Sequence, residues 1–363
     1  MKRYLPLDLL RLVAIFLVLG RHMEKCPADY PLPIRAFFTI WRRGGWVGVD
    51  LFFVLSGFLI SGLLFHEFQK TGKLKIGRFY IRRGFKIYPP FYAMIAATLV
   101  ALGTAISGWQ LFAECFFLQS YLPGIWNHTW SLAVEEHFYI LLPLFLLALI
   151  RWNKSEPFRW VPWAAMGLGA FCLAGRILTY RHFSTYSHMG NLFATHLRLD
   201  ALFFGVTIGY VFHFHQASFV RLKPWRFALI GLGICLLSPA FVFTLETTPA
   251  IYTIGLTVFY VGSGGILAGS ILCEPQSKSV VALAFVGVCS YSIYLWHVPV
   301  LHWIVPHTSS NYFLRVLAFI AISLLAGIAA KFLIEDPALK LRKKLFPPVA
   351  DSTVKGVHDL ASL

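Results

Sequence analysis

Residues 5–23 read LPLDLLRLVAIFLVLGRHM, an apolar run broken by Asp8, Arg11 and Arg21 and ended by His22. About 20 predominantly apolar residues cross a bilayer as a helix. A charge inside such a span persists where it is paired, lines a watered cavity or carries function. The run is therefore read as a membrane helix with polar work built into it. Asp8 and Arg11 are three residues apart and can pair on one face. Arg11 and His22 are eleven apart, so they project from the same side, about 16 Å apart along the axis. A bland alternative is a structural Arg–Asp pair with an interfacial histidine. No small-residue cleavage site follows the run, so it is not a cleavable signal peptide.

The same character extends outward over the whole chain. Of 363 residues, 58% are hydrophobic and 13% are charged, and the mean hydropathy is +0.67. A soluble domain carries about 25% charged residues. That excludes disorder, a coiled coil, a collagen-like chain and a water-soluble enzyme. Ten apolar stretches are expected to span, near 5–23, 46–66, 85–107, 129–150, 160–178, 194–214, 227–245, 250–272, 281–304 and 313–334. With the N-terminus in the cytoplasm, 20 Lys and Arg fall in cytoplasmic segments and 5 in the opposite loops. This bias predicts an all-α polytopic helical membrane protein with about ten transmembrane helices and both termini cytoplasmic. It also accounts for the net charge of +16, so no nucleic acid partner is needed. Residues 1–340 read as one membrane domain and 341–363 as a short basic cytoplasmic tail. The segment 109–121 is too short and polar to span and suits an interfacial helix or loop. Cys26 and Cys115 fall on the same, oxidising side, which allows a disulfide. No CxxC occurs, and His213 and His215 have no third ligand in view, so no metal is expected.

Four other segments carry charge where lipid should be. Asp50 opens the second span, where it could meet His22 or Arg43. Arg78, Arg82, Arg83 and Lys86 place four cations within nine residues, with Phe79, Tyr80, Phe85 and Tyr88 among them. As a helix, this collar sets Arg78, Arg82 and Lys86 along one side, fit either for the phosphates of a nucleotide-bearing donor or for anionic membrane lipid. Glu135 and Glu136 open the fourth span about 100° apart; a carboxylate beside His22 would fix its tautomer and raise its basicity. Arg198 and Asp200 can balance charge, while Trp130, Tyr291, Tyr294 and His297 can line a sugar-sized site or form an aromatic belt.

Taken together, LDLLRLVAIFLVLGRH (7–22), GVDLFFVLSGFLIS (48–61), FYIRRGFKIYPPFY (79–92), WSLAVEEHFYILLP (130–143), RLDALFFG (198–205), SYSIYLWH (290–297) and IEDP (334–337) resemble, in order, the acyltransferase 3 family of membrane O-acyltransferases. That family includes O-acetylases of O-antigen, exopolysaccharide and peptidoglycan. The resemblance implies ten spans in a bacterial-type inner membrane, a cytoplasmic acyl-CoA donor, usually acetyl-CoA, and a carbohydrate or glycolipid acceptor. It assigns catalysis to Arg11 and His22, with Glu135 as the acidic residue after Trp-Ser-Leu; Asp50, from its place at the start of the second span, is a second candidate carboxylate. The family's Arg-x-x-Arg element, associated with donor binding, falls on Arg83 and Lys86, and Arg78 and Arg82 of the collar stand beside it as further donor candidates. Lys86 stands where the family's Arg-x-x-Arg element has a second Arg, which keeps charge but loses a bidentate phosphate contact. Trp130, Tyr291, His297 and Arg198 are then candidates for the acceptor. Some relatives carry a fused esterase-like domain, which this chain is expected to lack. A transporter or flippase for a glycolipid or polyisoprenyl-linked sugar is the competing expectation, though no inverted repeat is evident.

Overall fold

A computed structural model of the chain describes residues 4–183, 185–273 and 278–347. Helix α1 (Leu5–His22) starts with a proline in its first turn, where the missing N–H costs nothing. An amphipathic helix, α2 (Leu32–Gly44), follows it and leads into α3 (Val47–Thr71), which stops at Gly72 in the left-handed conformation. Next come α4 (Ile76–Leu102), the short α5 (Gly108–Cys115), α6 (Trp130–Trp152), α7 (Val161–His182) and α8 (Leu199–Phe214). The second half holds α9 (Gln216–Val220), α10 (Arg226–Leu237), α11 (Pro239–Val242), α12 (Leu256–Ile271), α13 (Lys278–Val288), α14 (Ser290–Trp303), α15 (Tyr312–Ala330) and α16 (Asp336–Leu345).

Each of the ten expected stretches is occupied by helix. Among the described residues, seven helical segments, from Leu32–Thr71 to Tyr312–Leu345, are long and apolar enough to cross a membrane. An eighth is the pair α13 and α14, bent by 66° if it is one span. Helix α1 misses that measure through its charges, and α8 through its length of 16 residues. The protein is a multi-pass helical membrane protein. Its outside confirms this, since Trp163, Met166 and Leu178 of α7 and Leu317 and Leu325 of α15 are exposed, while the charges described below are inside. Helices satisfy every backbone group locally, which is why they can stand in lipid.

Close helix packing holds the centre. A Cβ on Gly57 of α3 would meet the Leu202 carbonyl oxygen at 1.9 Å, and one on Gly205 of α8 would meet that of Val54 at 2.1 Å. These two small residues let the backbones of α3 and α8 touch, the membrane alternative to burying large side chains.

The cation-rich collar is helical, as its spacing suggests, because α4 begins at Ile76 and carries it. Helix α16 runs into the basic tail segment, through Leu345, with Arg342, Lys343 and Lys344 in its last turn; residues 348–363 lie outside the described residues. Cys26 and Cys115 are both free thiols, so the disulfide is not formed. The 109–121 segment is the short helix α5 followed by a turn, and the helix is entered through a capping box in which Ser107 and Gln110 exchange hydrogen bonds.

Candidate functional site

Three histidines meet near one end of the bundle. His22 is the last residue of α1, His128 sits in the 3-10 turn just before α6, and His297 lies in the middle of α14. Ring centroids are 4.8 Å apart for His22–His297, 5.0 Å for His128–His297 and 6.5 Å for His22–His128. His128 and His297 are buried.

Their proton positions follow from their partners. A backbone carbonyl only accepts, so His297 Nδ1–H donates to the Tyr294 carbonyl at 2.6 Å, and its Nε2 is then an acceptor. His22 Nδ1 faces the Val18 carbonyl at 3.0 Å and His297 Nε2 at 3.2 Å. Both are acceptors, so His22 carries its proton on Nδ1 and its lone pair on Nε2. This is the tautomer of a general base held from behind. His128 donates from Nε2 to the Leu295 carbonyl at 3.3 Å. That carbonyl is free because residue 299, four positions on, is a proline with no N–H to offer it.

A polar column continues from the histidines toward the other end. The Tyr294 hydroxyl donates to the His128 carbonyl at 2.6 Å and lies 2.7 Å from Ser131 Oγ. One helical turn beyond Ser131, the Glu135 carboxylate accepts from Ser56 Oγ at 3.0 Å and from the Tyr139 hydroxyl. The Tyr88 hydroxyl donates to Glu136 at 3.1 Å, and the Arg83 guanidinium lies 5.7 Å from the Tyr139 ring centre. Arg11 pairs with Asp8 at 2.8 Å, as the sequence spacing predicts.

At the far end stands the collar. Lys86 is paired with Glu335, whose other oxygen accepts from Ser292 Oγ at 2.9 Å, so its ammonium is already committed. Arg78 and Arg82 have no carboxylate within ion-pair distance among the described residues. Tyr291, an expected sugar contact, instead donates to the Ile87 carbonyl at 2.8 Å and ties α14 to α4 beside the collar.

The other carboxylate expected near His22 is elsewhere. Asp50 is fully buried and bonds Arg198 at 2.7 Å, while Arg176 bonds Asp200 at 2.5 Å. The Arg198 guanidinium also faces the Phe53 and Trp130 rings at 5.4 and 5.8 Å, and Trp130 stacks on Phe193 at 4.8 Å. Two complementary pairs here lock α3 to α7 and α8. Neither Asp50 nor Glu135 orients His22; His297 does. Arg43 is likewise occupied, donating to the Val242 carbonyl at 2.7 Å.

His128 is absent from the sequence-derived site. A single histidine in a turn before a helix has no periodicity to mark it. The only signal was indirect, in the proline that frees the Leu295 carbonyl. Outside the spans, Glu114 of α5 ties the loop between α5 and α6 to this region by accepting from the Ile125 N–H at 2.9 Å. Burial pushes its carboxyl up to about 7, against hydrogen bonds from Thr129, Ile125 and Trp126 that draw it down. Among the described residues, no three His, Cys, Asp or Glu side chains come together as a metal site.

Comparison with known proteins gives a consistent picture. The family described as "Acyltransferase domain", of the acyltransferase 3 type, matches residues 5–332. Peptidoglycan O-acetyltransferase OatA of Listeria monocytogenes is 28% identical over 93% of this chain and 56% of its own length. "Putative peptidoglycan O-acetyltransferase YrhL" of Bacillus subtilis is 31% identical over 82% of this chain and 49% of its own. The chain thus spans about half the length of these curated relatives. No solved structure matches.

Proposed function

The chain belongs to the acyltransferase 3 family, and from that premise we propose that it is a membrane O-acetyltransferase. It moves an acetyl group from cytoplasmic acetyl-CoA to a hydroxyl of a cell-envelope carbohydrate or of a lipid-linked one. The observation that carries this reading is the His22 tautomer. With Nδ1–H held by Val18 and His297, the Nε2 lone pair is the one free to take a proton from an attacking hydroxyl.

The collar is the donor end. Arg78, Arg82 and Arg83 offer guanidinium groups to the phosphates of acyl-CoA, while Lys86, neutralised by Glu335, holds α4 in place. The pantetheine arm enters along the column of Arg11, Glu135, Tyr139 and Ser56. Glu135 thereby becomes a wall of the donor path rather than a partner of His22. In the transfer, the acceptor oxygen attacks the thioester carbonyl as its proton passes to His22 Nε2. The tetrahedral intermediate then expels the thiolate, which takes that proton back from His22. The products are an acetyl ester and CoA thiol, and no covalent acyl-enzyme is required. The acceptor lies on the histidine side, beyond the cytoplasmic donor. The transporter alternative has no comparable observation in its favour.

Donor binding tests this without knowledge of the acceptor. Calorimetry on the detergent-purified protein should show acetyl-CoA binding that weakens by about tenfold or more when Arg82 and Arg83 are both changed to alanine, as expected for lost charge-assisted phosphate bonds. A folded wild-type protein that binds no acetyl-CoA would refute the donor assignment.

A further inference from the structure

His128 is 3% exposed, and its Nδ1 has no hydrogen-bond partner among the described residues. Its other nitrogen is fixed as a donor by the Leu295 carbonyl at 3.3 Å, so Nδ1 carries a lone pair by the same logic that places one on His22 Nε2. A buried acceptor left without a donor is costly, and native proteins rarely leave one unless it serves a purpose. The residue is held in three ways, at its backbone and at its ring. The Tyr294 hydroxyl bonds the His128 carbonyl at 2.6 Å, Nε2 bonds Leu295, and the ring meets His22 edge to face at 74° with centroids 6.5 Å apart. Two imidazoles, each with one pinned proton and one lone pair, therefore stand side by side at the end of the polar column.

We propose that His128 is an acceptor-binding residue: its Nδ1 receives a hydrogen bond from a second hydroxyl of the polyhydroxylated acceptor while His22 Nε2 takes the proton of the first. This deepens the acetyltransferase reading and rests on it. Two hydroxyls of one sugar ring satisfy both lone pairs together, whereas an acceptor with a single hydroxyl satisfies one and leaves the other stranded. The site thereby prefers a carbohydrate over a simple alcohol.

Two side-chain amides separate this role from a structural one. In His128→Gln, the amide N–H reaches the Leu295 carbonyl in place of Nε2 but leaves no acceptor at the Nδ1 position. In His128→Asn, the amide oxygen stands near the Nδ1 position but the group is too short to reach Leu295. The full chain in proteoliposomes is assayed with acetyl-CoA as donor and the disaccharide N-acetylglucosaminyl-N-acetylmuramic acid as acceptor probe. Acetyl-CoA binding at the opposite end of the column reports that each variant is folded. His128→Gln should raise KM for the disaccharide about tenfold or more with a smaller change in kcat, and His128→Asn should keep KM closer to wild type. A folded His128→Gln protein with wild-type KM would overturn the proposal, leaving His128 as a partner for Leu295 alone. A wild-type protein that binds acetyl-CoA but acetylates no glycan would instead refute the acetyltransferase reading, and this proposal with it.

Discussion

His22 shows how much a single residue owes to its neighbours. Its position, eleven residues after Arg11, was legible because helical geometry sets both on one side of α1. Its orienting partner was not. The sequence offered Glu135 and Asp50, acidic groups that suit a His–acid pair, and the structure supplies His297. Partner choice is a tertiary matter: His297 is 275 residues away, and no local pattern links the two. Glu114 makes a separate prediction at this scale. Its folded pKa of about 7 lies above the ordinary 4.5, so its contribution is fully present below pH 4.5 and is lost as pH rises through 7. The difference amounts to about 3 kcal/mol at 1.36 kcal/mol per pKa unit. Hydrogen exchange of the 115–129 loop, corrected for the intrinsic pH effect, should show protection falling across that interval. Glu114→Gln should flatten the profile; an unchanged slope in that variant would show that Glu114 is not the titrating group.

Among elements, the helices were easy to read and their contacts were not. Apolar length marked every expected stretch, and the collar spacing predicted the helical start of α4. What sequence could not show is how α3, α7 and α8 share their charges. Asp50–Arg198 and Arg176–Asp200 are each at most 2% exposed at the side chain. Removing one member of such a pair leaves a buried charge unpaired, at a cost of about 3–5 kcal/mol. Asp50→Leu and Arg198→Leu should therefore each lower thermal stability strongly, while the double variant recovers much of the loss. If the two single losses simply add in the double variant, the pair is not coupled. Gly57 and Gly205 set a related limit, since alanine at either site would force α3 and α8 apart.

For the whole molecule, the polar column gives the fold its direction. A cation collar lies at one end, the three histidines at the other, and tyrosine, serine and glutamate groups between them. The basic-loop bias predicts that the collar faces the cytoplasm. A cysteine introduced at Ser309, in the loop before α15, should then react with an impermeant thiol reagent in intact cells, and one at Ser155 only after permeabilisation. The reverse pattern would invert the assignment of donor and acceptor sides. In the proposed reaction His22 is the base for acetyl transfer along this column. The most direct measurement is transfer of labelled acetyl from acetyl-CoA to glycan in proteoliposomes, comparing wild type with His22→Ala. General-base loss typically costs about 10²–10⁴-fold, so the account predicts transfer reduced by at least a hundredfold, with acetyl-CoA still bound. Transfer at the wild-type rate by folded His22→Ala protein would contradict it.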